Sequence, residues 1–142
     1  MRPGGNVSKG KEGERQVCKL LQPVVNEVHT QLNPQYAAPV LTRNLNQARD
    51  AGYDLNGLEG LCIEVKWQKN LLLRNWWQQA VEQADAAGGE PVLVYKTNHQ
   101  PWRVRMYVHP GNGVWLPGVL EMEDFLVWLR TYLRNRLLAS SE

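Results

Sequence analysis

The chain has 142 residues, a formal net charge of +2, 43% hydrophobic and 21% charged residues, which suits one globular domain with a continuous core. So small a net charge identifies no partner, and Cys18 and Cys62, without a CxxC spacing, argue against a disulfide scaffold or a zinc site and fit reduced core residues. No charged segment followed by an apolar run opens the sequence, and no apolar run approaches the ~18 residues of a membrane span, so a soluble cytoplasmic protein is expected.

Residues 1–7, with Pro3, Gly4 and Gly5, read as a short flexible arm. Ser8 is the expected N-cap of a helix over 8–29, with Glu12 and Glu14 near its positive end. Val17, Cys18, Leu21, Val25 and Val28 recur at helical spacing as its buried stripe, and Pro23 is expected to bend or split it. Extended backwards, the stripe reaches Glu14, which either faces the sheet or lies wet just beyond the buried edge. Residues 37–45 read as a strand near an edge, because Pro39 cannot donate to a ladder.

Between Gly60 and Trp67 the residues alternate: Leu61, Ile63, Val65 and Trp67 point to one side of a strand, Cys62, Glu64 and Lys66 to the other. Residues 56–60 are rich in glycine and asparagine, which predicts a hairpin turn near Glu59 that sets Asp54 opposite Glu64. Opposed carboxylates are unfavourable unless a positive group lies between them. With the Lys66 ammonium adjacent, the pair reads as a site for a hard divalent cation.

Residues 70–75 read as a connection and 76–87 as an alanine-rich helix stopped by Gly88-Gly89. Strands are predicted over 91–96 and 102–108, a Gly/Pro loop over 109–118, and a last helix over 121–138 carrying Met122, Phe125, Leu126, Leu129, Tyr132, Leu133 and Leu137 at helical spacing. Trp128 lies off that stripe, so this helix is either a candidate interface or simply packs on its own sheet. The order is helix, three strands, helix, two strands, helix: a single α/β domain over 1–142 with a mixed sheet. Basic residues cluster at Lys9, Lys11, Arg15 and Lys19, at Lys66, Lys69 and Arg74, and at Arg130, Arg134 and Arg136, the last as readily a solvated mixed surface as a binding face.

The run Ser8-Lys9-Gly10-x-x-x-Glu14-Arg15, then Asp54, then Glu64-Val65-Lys66, then a helix bearing Gln79, resembles the PD-(D/E)XK nuclease superfamily over roughly residues 8–108, and within it the archaeal-type Holliday junction resolvases and their bacteriophage relatives. Tyr53 stands where the family often has proline. The resemblance implies a restriction-endonuclease-like fold in which Asp54, Glu64 and the Val65 carbonyl hold Mg²⁺ or Mn²⁺, with Glu14 completing the shell or orienting a bound water. It implies that Lys66 orients the attacking water or offsets transition-state charge, and that Gln79, or Gln83 one turn later, binds the water or phosphate. Ser8, Lys9, Lys11, Arg15, Lys69 and Arg74 become phosphate contacts.

No sequence-reading motif appears, so selectivity is expected to rest on DNA shape. A four-way junction has two-fold symmetry, which makes a homodimer the economical assembly, in a bacterium or a phage-infected host cell. Trp76, Trp77 and Trp102 could stack on bases, although tryptophans in apolar patterns are more often core. The competing functions are the same chemistry on other DNA, of restriction, repair or flap type, and a DNA-binding module with an inactive site.

Overall fold

The computed structural model describes residues 5–45 and 53–140. Among them the order is α1 (Gly5–Leu32), β1 (Thr42–Arg43), β2 (Leu55–Asn56), β3 (Leu61–Gln68), α2 (Leu73–Ala87), β4 (Glu90–Thr97), β5 (Arg103–Gly111), β6 (Val114–Glu121) and α3 (Met122–Ser140). The expected α/β class holds: a four-stranded mixed sheet β3-β4-β5-β6, in which β3 and β4 run parallel and the other pairs antiparallel. The parallel pair requires a crossover, and α2 supplies it.

α1 and α3 cover one face of the sheet. Val17, Leu21, Val25 and Val28 of α1, Leu61, Ile63 and Val65 of β3, and Phe125, Leu129 and Leu133 of α3 share one buried cluster. Helix and strand approach closely at Gly13, where a Cβ would lie 3.3 Å from the Trp102 ring and 3.5 Å from Val65 Cγ1. α2 lies on the opposite face, where Trp76 and Ala80 pack on Leu93 and Tyr95. It ends as its sequence predicts, with Gly88 in the left-handed conformation at φ 74°, which glycine adopts without a steric penalty.

Several expectations need correction. The helix begins at Gly5, so residues 5–7 are not an arm and Ser8 lies inside α1 rather than capping it; residues 1–4 lie outside the described chain. α1 continues through Pro23 as one helix. Proline removes one backbone bond and crowds the carbonyl of Lys19, but both residues are exposed, while Leu21, Val24, Val25 and Val28 on the other side are buried. Burial of that stripe outweighs a local penalty of about 3 kcal/mol.

Only Thr42–Arg43 of the expected strand over 37–45 is extended in a ladder, and it pairs antiparallel with β2. So β2 belongs to a small sheet with β1 rather than to a regular hairpin with β3. The stretch leading into it, 46–52, lies outside the described residues. α2 starts at Leu73, three residues earlier than expected, and the last helix spans Met122–Ser140.

The supposed loop over 109–118 is instead the end of β5 and most of β6, adding a strand to the expected order. The two join through Asn112 and Gly113, both at positive φ, 57° and 71°, the backbone that a tight hairpin requires. Pro117 is accommodated because β6 is an edge strand.

α3 packs on α1 as well as on the sheet. Arg130 binds Glu27, and Arg134 Nη2 donates to Gln31 Oε1 at 2.7 Å, so these two arginines of the C-terminal cluster bind α3 to α1. Trp128 stacks between Phe125 and Tyr132, at ring separations of 5.7 and 5.1 Å.

Candidate active site at the edge of strand β3

The alternation read from the sequence carries through. Leu61, Ile63 and Val65 enter the core under α1, and Glu64 lies in register with Leu93, Lys66 with Tyr95, on the side covered by α2. Because β3 is an edge strand, its open side meets the segment bearing Asp54. A bond from Leu61 N–H to the Leu58 carbonyl, 3.1 Å, closes the turn between them.

Asp54 grips β3 on both sides of Glu64. Its N–H donates to the Ile63 carbonyl at 2.8 Å, and its Oδ2 accepts the Val65 N–H at 2.7 Å. The segment is itself held by buried Asn44, whose N–H donates to the Asp54 carbonyl (2.8 Å) and whose Nδ2 donates to the Tyr53 carbonyl (3.0 Å).

Two carboxylates are thereby buried side by side: Asp54 is 7% exposed and Glu64 7%. Glu64 Oε2 is buried with no hydrogen-bond partner among the described residues. Burial, then the negative charge of Asp54, push the Glu64 carboxyl up to about 8, against the opposing pull of Lys66. A buried acceptor without a donor costs about 1–3 kcal/mol, so in the metal-free protein this oxygen calls for a proton or a cation.

Glu14 enters from α1, where the stripe placed it: half-buried and bonded by Arg43 Nε at 2.5 Å. Its carboxyl is raised by burial, which the Arg43 hydrogen bond opposes, and Asp54 raises it further. Arg43, which sits in the β1–β2 ladder opposite Leu55, was not among the expected site residues. Its signal was faint: an arginine in a two-residue strand whose pairing is non-local.

α2 lies on the same side of the sheet as Glu64 and Lys66. Trp77 meets Tyr107 of β5 at 5.2 Å between rings, so that edge of α2 faces β5. At 100° per residue, Gln79 and Gln83 fall on the opposite edge, towards β3. Gln83 is half-buried there, whereas Gln79 is exposed.

Of the expected phosphate contacts, Lys11, Arg15, Lys69 and Arg74 are exposed, with Arg15 3.9 Å from Glu12. Lys9 Nζ donates to Asn98 Oδ1 at 2.9 Å, and Trp67 Nε1 donates to the same oxygen at 3.2 Å, joining the start of α1 to the β4–β5 turn. Trp76 and Trp102 are buried, 3% and 9% exposed, as their apolar pattern suggested; Trp102 and Trp67 carry Lys96 Nζ over their rings.

The donor set suits a hard cation. Among the described residues no three His, Cys, Asp or Glu side chains gather as a closed metal site; Asp54 and Glu64 offer two carboxylates, and the rest of a shell falls to backbone carbonyl and water. Magnesium keeps several of its waters and takes only one or two carboxylates, so the arrangement fits it. Among the described residues no helix is long and apolar enough to cross a membrane.

A family model described as "Phage putative PDDEXK endonuclease" matches residues 5–114. No curated protein sequence matches the chain. Among solved structures the fold is similar to that of Hjc from Archaeoglobus fulgidus, described as a Holliday junction resolvase from an archaeal hyperthermophile, at a TM-score of 0.49 and 19% identity, over 84% of this chain and 96% of that one.

Proposed function

Because the chain belongs to the phage PDDEXK endonuclease family, we propose that it is a metal-dependent endonuclease that hydrolyses phosphodiester bonds in branched DNA, with the Holliday junction as its substrate. The observation that carries this reading is the buried pair Asp54 and Glu64, with Glu64 Oε2 unpartnered beside Lys66.

Asp54, Glu64 and the Val65 carbonyl would hold Mg²⁺ or Mn²⁺. When bound, the ion supplies Lewis-acid polarisation of the phosphate and lowers the pKa of water. Lys66, fixed beside Glu64 by the strand period, offsets charge on the phosphorane-like transition state and orients the attacking water. Glu14 orients water from the α1 side, and Arg43 opposes the rise in its carboxyl and holds it in place. Gln83, with Gln79 further out, hydrogen-bonds water or phosphate from α2.

Ser8, Lys9, Lys11, Arg15, Lys69 and Arg74 grip the backbone flanking the cut without reading sequence. Two copies related by a two-fold axis place one site on each of two symmetric strands.

The test is incubation with a labelled synthetic four-way junction and a linear duplex of the same sequence, in Mg²⁺ and in EDTA. Symmetric Mg²⁺-dependent nicks in the junction alone are expected. Equal cutting of both would remove junction selectivity, and binding without cutting in Mg²⁺ or Mn²⁺ would overturn the enzyme in favour of a binding module.

A further inference from the structure

The four residues between β3 and α2, Lys69-Asn70-Leu71-Leu72, present two leucines to solvent: Leu71 is 54% exposed and Leu72 48%. Single exposed apolar residues are ordinary, but this pair stands in an unusual electrostatic setting. From Val65 to Val81 the sequence holds no acidic residue, while Lys66, Lys69 and Arg74 all fall within it. Across from Leu71 lies a cavity of about 310 Å³ lined also by Tyr95, Lys96, Gln100 and Arg103. Arg103, which lines it, lies 3.9 Å from the Glu121 carboxylate.

The pair is also held in place. β3 ends at Gln68 and α2 begins at Leu73, and the Leu72 carbonyl accepts the Trp76 N–H at 2.9 Å. Its position relative to Lys66 is therefore fixed by two regular elements only a few residues apart.

An apolar tip flanked along the chain by Lys66, Lys69 and Arg74, with no acidic residue between Val65 and Val81, matches what a protein presents to nucleic acid when it opens a base step: leucines that replace stacking, and cations on the flanking phosphates. A branch point offers a step that is already partly unstacked, whereas a linear duplex has to be opened first. The same insertion thus favours branched DNA by the difference in unstacking. We propose that Leu71 and Leu72 form a wedge that enters the base step at the branch point, with Lys69 and Arg74 on the flanking phosphates and the cavity beside Leu71 taking a displaced base. This rests on the nuclease reading above and names what makes that site selective.

The experiment uses a four-way junction and a duplex carrying 2-aminopurine, at the branch point and at the matching duplex position, bound in EDTA so that no cutting is needed. Native protein should raise the junction's fluorescence several-fold and leave the duplex nearly unchanged. Leu71→Ser/Leu72→Ser should bind the junction about tenfold more weakly, without the rise, as expected when apolar contacts that offset unstacking are lost; Leu71→Met/Leu72→Met should restore both. Lys69→Ala should weaken junction and duplex binding alike and keep the rise in the bound complex.

A native complex without the fluorescence change, or a serine variant that retains it, overturns the wedge. A serine variant that sediments as a smaller species than native protein assigns the leucines to a contact between copies, and that also overturns it. If the native protein cuts junctions in Mg²⁺ but gives no fluorescence change, the wedge fails and the nuclease reading stands; if it neither binds nor cuts them, both fail.

Discussion

Glu64 should make the metal-free protein less stable than it would be with a neutral residue there, and Glu64→Gln measures by how much. The carboxyl's ordinary value is 4.5 and its folded value about 8, so folding takes up a proton between those limits. Stability therefore falls as pH rises through that window, the opposite of an ion-paired carboxylate. At pH 8 the linkage amounts to about 4 kcal/mol as an upper figure. Glutamine keeps the shape and removes the charge, but it buries an amide that lacks a full set of partners, which costs about 1–3 kcal/mol.

The net expectation is a variant about 1–3 kcal/mol more stable than native protein at pH 8 in EDTA, or a Tm higher by roughly 3–10 °C for a domain of this size. The difference should shrink towards pH 5, where the native carboxyl is protonated when folded. Saturating Mg²⁺ at pH 8 should raise the native Tm and leave the variant's almost unchanged, because only the native site can exchange its proton for a cation. Thermal melts of both proteins at pH 5 and 8, with Mg²⁺ and with EDTA, decide the matter. A glutamine variant no more stable than native protein at pH 8 in EDTA would mean that Glu64 carries no penalty for a metal to relieve.

Asp54→Asn should lower junction cutting by about 10³-fold, the scale of losing a key electrostatic group, while binding in EDTA stays within a few-fold, because the amide oxygen can still accept the Val65 N–H; gel assays of both read this out. Arg43→Ala removes the hydrogen bond that opposes the raised Glu14 carboxyl, so the acid limb of the pH–rate profile should move to higher pH, with about 1 kcal/mol of stability lost from a partly buried pair; an unmoved limb would separate Glu14 from the reaction. Gly10→Ala, where a Cβ meets nothing within 4 Å, should stabilise α1 by up to about 1 kcal/mol. Gly13→Ala should not, because its Cβ meets the buried Trp102 ring at 3.3 Å, and urea melts should separate the two variants by at least about 1 kcal/mol.

What the sequence showed and what it hid divide along the range of the forces involved. The strand parity that sends Val65 into the core and leaves Glu64 and Lys66 on the other face is a local property of an extended chain. The glycine-rich turn that brings Asp54 back is local too, and both were legible. Arg43 was not, because a two-residue strand carries no periodicity and its importance arises only when β1 pairs with β2 and meets α1. β6 was hidden for a different reason. Val114, Trp115, Leu116 and Val119 are all exposed, so no alternation marks them, and Pro117 and Gly118 suggest a loop; the informative residues were Asn112 and Gly113, whose positive φ turns β5 back on itself.

Pro23 shows propensity yielding to burial, since four apolar side chains on the inner face of α1 hold the helix through a residue that breaks an isolated one. Which of Gln79 and Gln83 is the more buried could not be read from spacing, because both lie on one side of a helix whose rotation about its axis is set by Trp77 against Tyr107 and by Trp76 and Ala80 against Leu93 and Tyr95. Strand β3 announces itself because Glu64, Val65 and Lys66 follow one another along one backbone segment. Glu14, Arg43 and the two glutamines of α2 are placed by packing between elements, and packing is the part of the code that no short window of sequence contains.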